Sequence, residues 1–135
     1  MKTRGDDVTL WCNFYITQLE QIPTECNLEP TEREIVFYEG ADGGVPARDW
    51  LERIESDKKI YSILMNRLDR VATGNFGDCK PVGDGVSELR VDFGPGYRIY
   101  YGIDREIIVL LFGGTKKTQT SDIAKAKRFW SDYNA

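Results

Sequence analysis

Ser87-Glu88-Leu89-Arg90-Val91-Asp92-Phe93-Gly94-Pro95-Gly96-Tyr97-Arg98-Ile99-Tyr100-Tyr101-Gly102-Ile103 is two runs of alternating hydropathy around a glycine-proline-glycine turn. In the first run Leu89, Val91 and Phe93 share one face, with Glu88, Arg90 and Asp92 on the other. In the second, Tyr97, Ile99, Tyr101 and Ile103 oppose Arg98, Tyr100 and Gly102. A period of two is that of a half-buried strand, and the turn residues cannot continue it, so the stretch reads as a β-hairpin. Folding about Pro95 sets Asp92 opposite Arg98 and Arg90 opposite Tyr100. Arg90, Arg98 and Tyr100 then share the face turned away from a helix-packed core. That face has two readings. One is a solvated surface with a cross-strand Asp92–Arg98 pair worth less than about 1 kcal/mol. The other is an anion-binding platform, two guanidiniums and a phenol directed at a phosphate.

Downstream, Ile107-Ile108-Val109-Leu110-Leu111-Phe112 is apolar at every position, the pattern of a strand buried on both faces. Gly113-Gly114 ends it, and Lys116 and Lys117 follow, two ammonium groups at a sheet edge beside the hairpin if the strands pair. Ile123, Ala126, Lys127, Trp130 and Tyr133 then form a helical stripe, with Ser121 as the expected cap. Upstream, residues 75–86 are rich in Gly, Pro and Asp and read as a loop. Before them Asp57 stands as an N-cap to the stripe Ile60, Ile63, Leu64, Leu68 and Val71, which Gly74 stops. Pro46 opens a shorter helix over residues 46–54, and residues 34–39 form a strand ended by Gly40 and Gly43-Gly44. The order is β-α-α-β-β-β-α. It predicts an α+β fold, a small twisted, largely antiparallel sheet with helices packed on one face.

Residues 1–32 read as a separate N-terminal extension, bounded by Glu29-Pro30-Thr31-Glu32, and residues 33–135 as the main domain. Leu10, Trp11, Phe14, Tyr15, Gln18 and Leu19 fit a short amphipathic helix, and their aromatic content fits a strand almost as well. Of the 135 residues, 18 are basic and 22 acidic, a net charge of −4. The imbalance lies in residues 1–32, where 2 basic face 6 acidic side chains; the remainder has 16 of each and is neutral. A neutral body does not advertise nonspecific nucleic-acid binding, although residues 115–135 carry five basic side chains against two acidic.

The 135-residue length fits one domain with an appendage. Its longest apolar run, residues 107–112, is too short to span a membrane, and the first residues have no secretory h-region. Cys12, Cys26 and Cys79 are odd in number and form no C-x-x-C pair, which points to a reduced, cytoplasmic chain. There is no histidine, so Ser-His-Asp and Cys-His triads and His-ligated zinc are excluded. Asp78, Asp84 and Asp104 are scattered, and neither a metal nor a small-molecule cofactor is expected. The loop from Gly113 to Thr118 has Lys116 where a phosphate loop requires glycine, and the Gly94-Pro95-Gly96 turn lacks the third glycine of a dinucleotide fingerprint.

One further pattern runs through Gly74-Asn75-Phe76-Gly77-Asp78-Cys79-Lys80-Pro81-Val82-Gly83-Asp84-Gly85-Val86-Ser87-Glu88-Leu89-Arg90, then Gly94-Pro95-Gly96-Tyr97-Arg98-Ile99-Tyr100. Leu110-Leu111-Phe112-Gly113-Gly114-Thr115-Lys116 and an acid-led helix from Asp122 complete it. Over residues 33–135 this resembles the RelE/ParE superfamily of type II toxins, in the HigB-like branch of addiction module killer proteins. The resemblance implies the RelE/ParE toxin fold and a cognate antitoxin as partner. RelE- and HigB-like members cut mRNA on the ribosome, while ParE-like members inhibit DNA gyrase without cutting RNA. A third possibility is an inactive module acting only in antitoxin complex and operon regulation.

Carried onto this chain, the resemblance makes Arg98 the arginine that stabilises transition-state charge, with Arg90 and Lys116 completing the phosphate-handling set. Lys80, Lys117 and Arg98 are the expected RNA contacts. The C-terminal tyrosine of RelE-type enzymes has no counterpart, since Asp122 or Ile123 stands there, and Tyr100 is the expected substitute as general base or acid. Cleavage of this kind is attack of a ribose 2′-OH on its own 3′ phosphate, which needs a base, a clamp on the phosphate oxygens and an acid for the leaving 5′ oxygen.

Overall fold

The computed structural model describes residues 32–135, so the helix-or-strand expectation for residues 8–21 lies outside the described residues. Five strands form one mixed sheet in the order β1-β5-β4-β3-β2: β1 (Glu34–Phe37), β2 (Cys79–Gly83), β3 (Val86–Val91), β4 (Tyr97–Asp104) and β5 (Ile107–Thr115). The last four make an antiparallel meander, whose short turns permit nothing else. Strand β1 runs parallel to β5, because α1 (Pro46–Ile54) and α2 (Lys58–Ala72) carry the chain from one sheet edge to the other. A third helix, α3 (Gln119–Tyr133), follows a single 3-10 turn at Lys116–Thr118. The α+β class and the largely antiparallel sheet are as expected.

Both early helices start where the sequence places them. Pro46 needs no hydrogen-bond acceptor in the first turn of α1. The Asp57 side chain accepts from the Ile60 N–H at 3.3 Å and caps α2. Ala47, Trp50 and Leu51 of α1 and Leu64, Leu68 and Val71 of α2 are buried against Leu89, Val91, Ile99, Tyr101, Ile108 and Leu110 of the sheet.

The expectation of helices on one face is corrected. Helix α3 packs on the opposite face, where Ala126, Ile123, Phe129 and Trp130 meet Tyr38, Val86, Tyr100, Val109 and Leu111. Its apolar stripe could be read from the sequence, but a stripe does not say which side of a sheet it will cover. Strand β5 serves both cores, as its unbroken apolar run implies. A bulge beside Tyr100/Tyr101 lets the consecutive residues Leu111 and Phe112 join the same core. Glycines let both helices close on the sheet: a side chain at Gly113 would overlap the Trp50 ring, and a Cβ at Gly102 would lie 2.6 Å from Trp130.

Three smaller expectations also change. Residues 79–83, expected as loop, form edge strand β2, where Pro81 is tolerated beside a bulge. Helix α3 begins at Gln119, so Ser121 lies in the first turn, its hydroxyl donating to the Thr118 carbonyl at 3.2 Å. The hairpin closes over residues 92–96, pairing Arg90 with Arg98 and Glu88 with Tyr100 rather than Asp92 with Arg98.

Candidate functional site

The chemistry-bearing side chains gather where β3, β4 and the start of α3 meet. Direct cross-strand partners share a face, so Lys80, Glu88 and Tyr100 form one row and Arg90 and Arg98 the next. Contrary to expectation this face is not open: α3 covers its centre and buries Glu88, Arg98 and Tyr100.

Glu88 is only 1% exposed and Arg98 6%. The Arg98 Nε lies 3.9 Å from Glu88 Oε1, an ion pair beyond hydrogen-bond reach, and this Nε has no hydrogen-bond partner. The Nη1 of Arg98 donates to the Tyr97 carbonyl at 3.1 Å. From α3, Gln119 Nε2 donates to both Glu88 oxygens, at 3.1 and 2.9 Å. Asp122 is buried over Gly114 and accepts from the Thr118 hydroxyl at 2.5 Å.

Tyr100 is fully buried and its hydroxyl has no partner. Burial pushes its pKa up, and the Glu88 and Asp122 carboxylates push it further, against a smaller opposite pull from Arg98. A phenol sealed from solvent can neither take a substrate's proton nor give one up, and Tyr100 leaves the candidate catalytic set.

Arg90 is half-buried and tied to Asp78, Nε at 3.2 Å and Nη2 at 3.0 Å from the same carboxylate oxygen. This contact raises the guanidinium's pKa. Asp78 is held by its backbone: the buried Arg67 donates to the carbonyls of Phe76, Asp78 and Arg90, at 2.7 Å for the last two. Burial lowers the Arg67 pKa.

Lys116 is brought to Arg98, as the pairing of β4 with β5 requires. Its N–H donates to the Gly96 carbonyl at 2.8 Å, and a Cβ on Gly96 would lie 3.5 Å from Lys116 Cβ and 3.7 Å from Arg98 Nη1. Beside them Lys116 and the turn residues, Asp92 through Gly96, line a depression of about 330 Å³. Lys80 and Lys117 are exposed, Lys80 on the β2 edge and Lys117 in the 3-10 turn. The structure thus roots Lys116 and Arg98 Nη1 against the same glycine, Gly96, turns Arg90 to Asp78, and sets Lys80 at the sheet edge.

Sequence reading missed Glu88, Gln119 and Asp122 as members of the cluster. Glu88 carried one signal, an acid two positions before Arg90 on the same face of the strand. Among the described residues no three Asp, Glu or Cys side chains converge to hold a metal ion, and no helix is long and apolar enough to cross a membrane.

Fold and site define a small α+β protein with helices on both sheet faces and a carboxylate-backed arginine beside an exposed lysine. Within that class, the chain belongs to the same family as an uncharacterized protein of Haemophilus influenzae. The two are 42% identical over 79 residues, which is 58% of this chain and 79% of the relative. No family model matches the chain, and no solved structure matches it significantly.

Proposed function

We propose that the chain is the toxin of a type II toxin-antitoxin pair, a ribosome-dependent endoribonuclease that cuts mRNA and is neutralised by a cognate antitoxin. The observation that carries this reading is that Arg98 Nη1 and the root of the exposed Lys116 side chain both lie against Gly96, which with Lys116 lines a depression open to solvent. A guanidinium with a flexible lysine rooted beside it suits a phosphate: the guanidinium offers a planar fork, the ammonium a mobile point charge. In the reaction the 2′-OH gives its proton to water, its oxygen forms a bond to phosphorus, the bond to the 5′ oxygen breaks, and a 2′,3′-cyclic phosphate and a 5′-hydroxyl result. Arg98 stabilises the charge that builds on the non-bridging oxygens, and Lys116 supplies a proton to the leaving 5′ oxygen.

The burial of Arg98 and Tyr100 favours a second reading. There the same end of the molecule grips a protein target such as DNA gyrase, and no RNA is cut. Primer extension on a defined mRNA, with purified protein and with or without translating ribosomes, separates the two. Discrete stops that need ribosomes are the expected result. Stops without ribosomes remove the ribosomal partner from the reading. No stops, with growth still arrested on induction, move the assignment to the protein-binding inhibitor; no stops and no arrest leave an inactive regulatory module.

A further inference from the structure

Glu88 is a carboxylate that no step of the proposed reaction uses, buried to 1% beneath α3. Removing a carboxylate from water is costly, and a buried ion pair rarely returns more than a well-packed apolar pair. Stability alone therefore gives little reason for Glu88 to stand here. Its surroundings are specific. Gln119 Nε2 donates to both of its oxygens, at 3.1 and 2.9 Å, fixing the carboxylate plane from the first turn of α3. One of those oxygens faces Arg98 Nε at 3.9 Å. The same guanidinium is held on a second side by the Nη1 bond to Tyr97 O, and Nη1 lies 3.7 Å from a Cβ placed on Gly96.

We infer that Glu88, held by Gln119, is a positioning residue whose charge sets the orientation of the Arg98 guanidinium, so that Nη1 lies beside Gly96. This inference rests on the nuclease reading only for its consequence in turnover; the positioning itself concerns the free protein. Glu88 touches no substrate and transfers no proton. Its negative charge partly offsets Arg98, so it trades phosphate affinity for a fixed orientation.

The trade gives a signature that a merely structural role would not. In Glu88→Gln the amide keeps the shape and can still bond Gln119, while Arg98 loses its counter-charge. Ribosome-dependent cleavage is expected to lose about tenfold in kcat, with KM unchanged or lower. Gln119→Ala, which leaves Glu88 charged but unheld, is expected to lower kcat by a smaller factor without raising KM. Unchanged kcat in both variants, or a KM that rises with the fall in kcat, overturns the inference.

A second measurement needs no activity. In the full-length wild-type protein, the buried Arg98 Nε–H is expected as a single sharp side-chain NMR signal, the mark of one fixed guanidinium orientation. That signal is expected to be lost in Glu88→Gln while the backbone amide spectrum and the Arg67 signal persist. Persistence of the Arg98 signal in Glu88→Gln overturns the positioning role. A wild-type protein that cuts no RNA overturns the nuclease reading instead, and the NMR comparison still decides the role of Glu88.

Discussion

Arg98 carries the proposed chemistry and is also part of the interior, and the two roles separate under mutation. From the sequence alone, Arg98→Ala should silence the protein and leave its fold intact. The structure changes that expectation, because the substitution strands Glu88, 1% exposed, without its cation. Leaving a buried charge unpaired costs on the order of 3 kcal/mol. Urea denaturation of Arg98→Ala should show most of that loss. The double variant Arg98→Ala/Glu88→Gln should recover most of the stability and none of the activity. A double variant that cuts RNA at the wild-type rate would remove Arg98 from the mechanism. Tyr100 gives the opposite expectation. Its hydroxyl is buried with no partner, so Tyr100→Phe discards a desolvated group and loses no hydrogen bond. Stability should hold or rise by up to about 1 kcal/mol, with cleavage unchanged. Loss of cleavage in a fully folded Tyr100→Phe would return the phenol to the catalytic set.

Helix α3 is fastened at its far end by two tyrosine-carboxylate bonds. Tyr38 donates to Asp132 at 2.5 Å, and Tyr133 donates to Asp104 at 2.8 Å. The bond to Asp132, then burial, raises the Tyr38 pKa to about 12. Burial first, then the bond to Asp104, raises that of Tyr133 to about 12. Each phenol therefore holds its proton more tightly folded than unfolded. The resulting stability is fully present below pH about 10, the ordinary tyrosine value, and is lost as pH rises toward 12. Thermal midpoints should fall across that window. Tyr38→Phe should cost about 1 kcal/mol at neutral pH and flatten part of the alkaline fall. An alkaline profile identical to wild type would detach the transition from this tie. Element by element, what the sequence disclosed was parity. The faces of β3 and β4 were right because alternation survives a slip of two residues. The register was wrong because the turn spans residues 92–96, with centre at Gly94, and local composition does not count loop residues. The covering of Glu88 and Arg98 by α3, and the tie of Arg90 to Asp78, were illegible for a different reason. A charged face looks solvated unless the partner for each charge, here Gln119 and Asp78, is already known to lie beside it.

At the scale of the molecule, the acidic excess belongs to residues 1–32. Among the described residues, the cores on both faces of the sheet are built from Ile35 onward. Within the body, three cations on or over the sheet face of Arg98 are paired in place: Arg90 with Asp78, Arg98 with Glu88, and Lys127 of α3 with Asp84 at 3.7 Å. Such a surface gains little from counterion release, so affinity for free RNA should be weak, no tighter than about 10⁻⁴ M near physiological salt. A chain of residues 33–135 changes the net charge from −4 to 0, with 16 basic and 16 acidic side chains remaining. It should unfold cooperatively with an unchanged thermal midpoint, since both described cores are retained. Its affinity for a single-stranded RNA should rise several-fold at low salt and converge with that of the full chain by about 0.3 M, where screening confines electrostatics to a few ångströms. Calorimetry and a salt titration of RNA binding test the two halves separately. A lower midpoint would mean that residues 1–32 complete the core; a difference in affinity that survives high salt would mean that they occupy the RNA-binding surface by contact rather than repel RNA by charge.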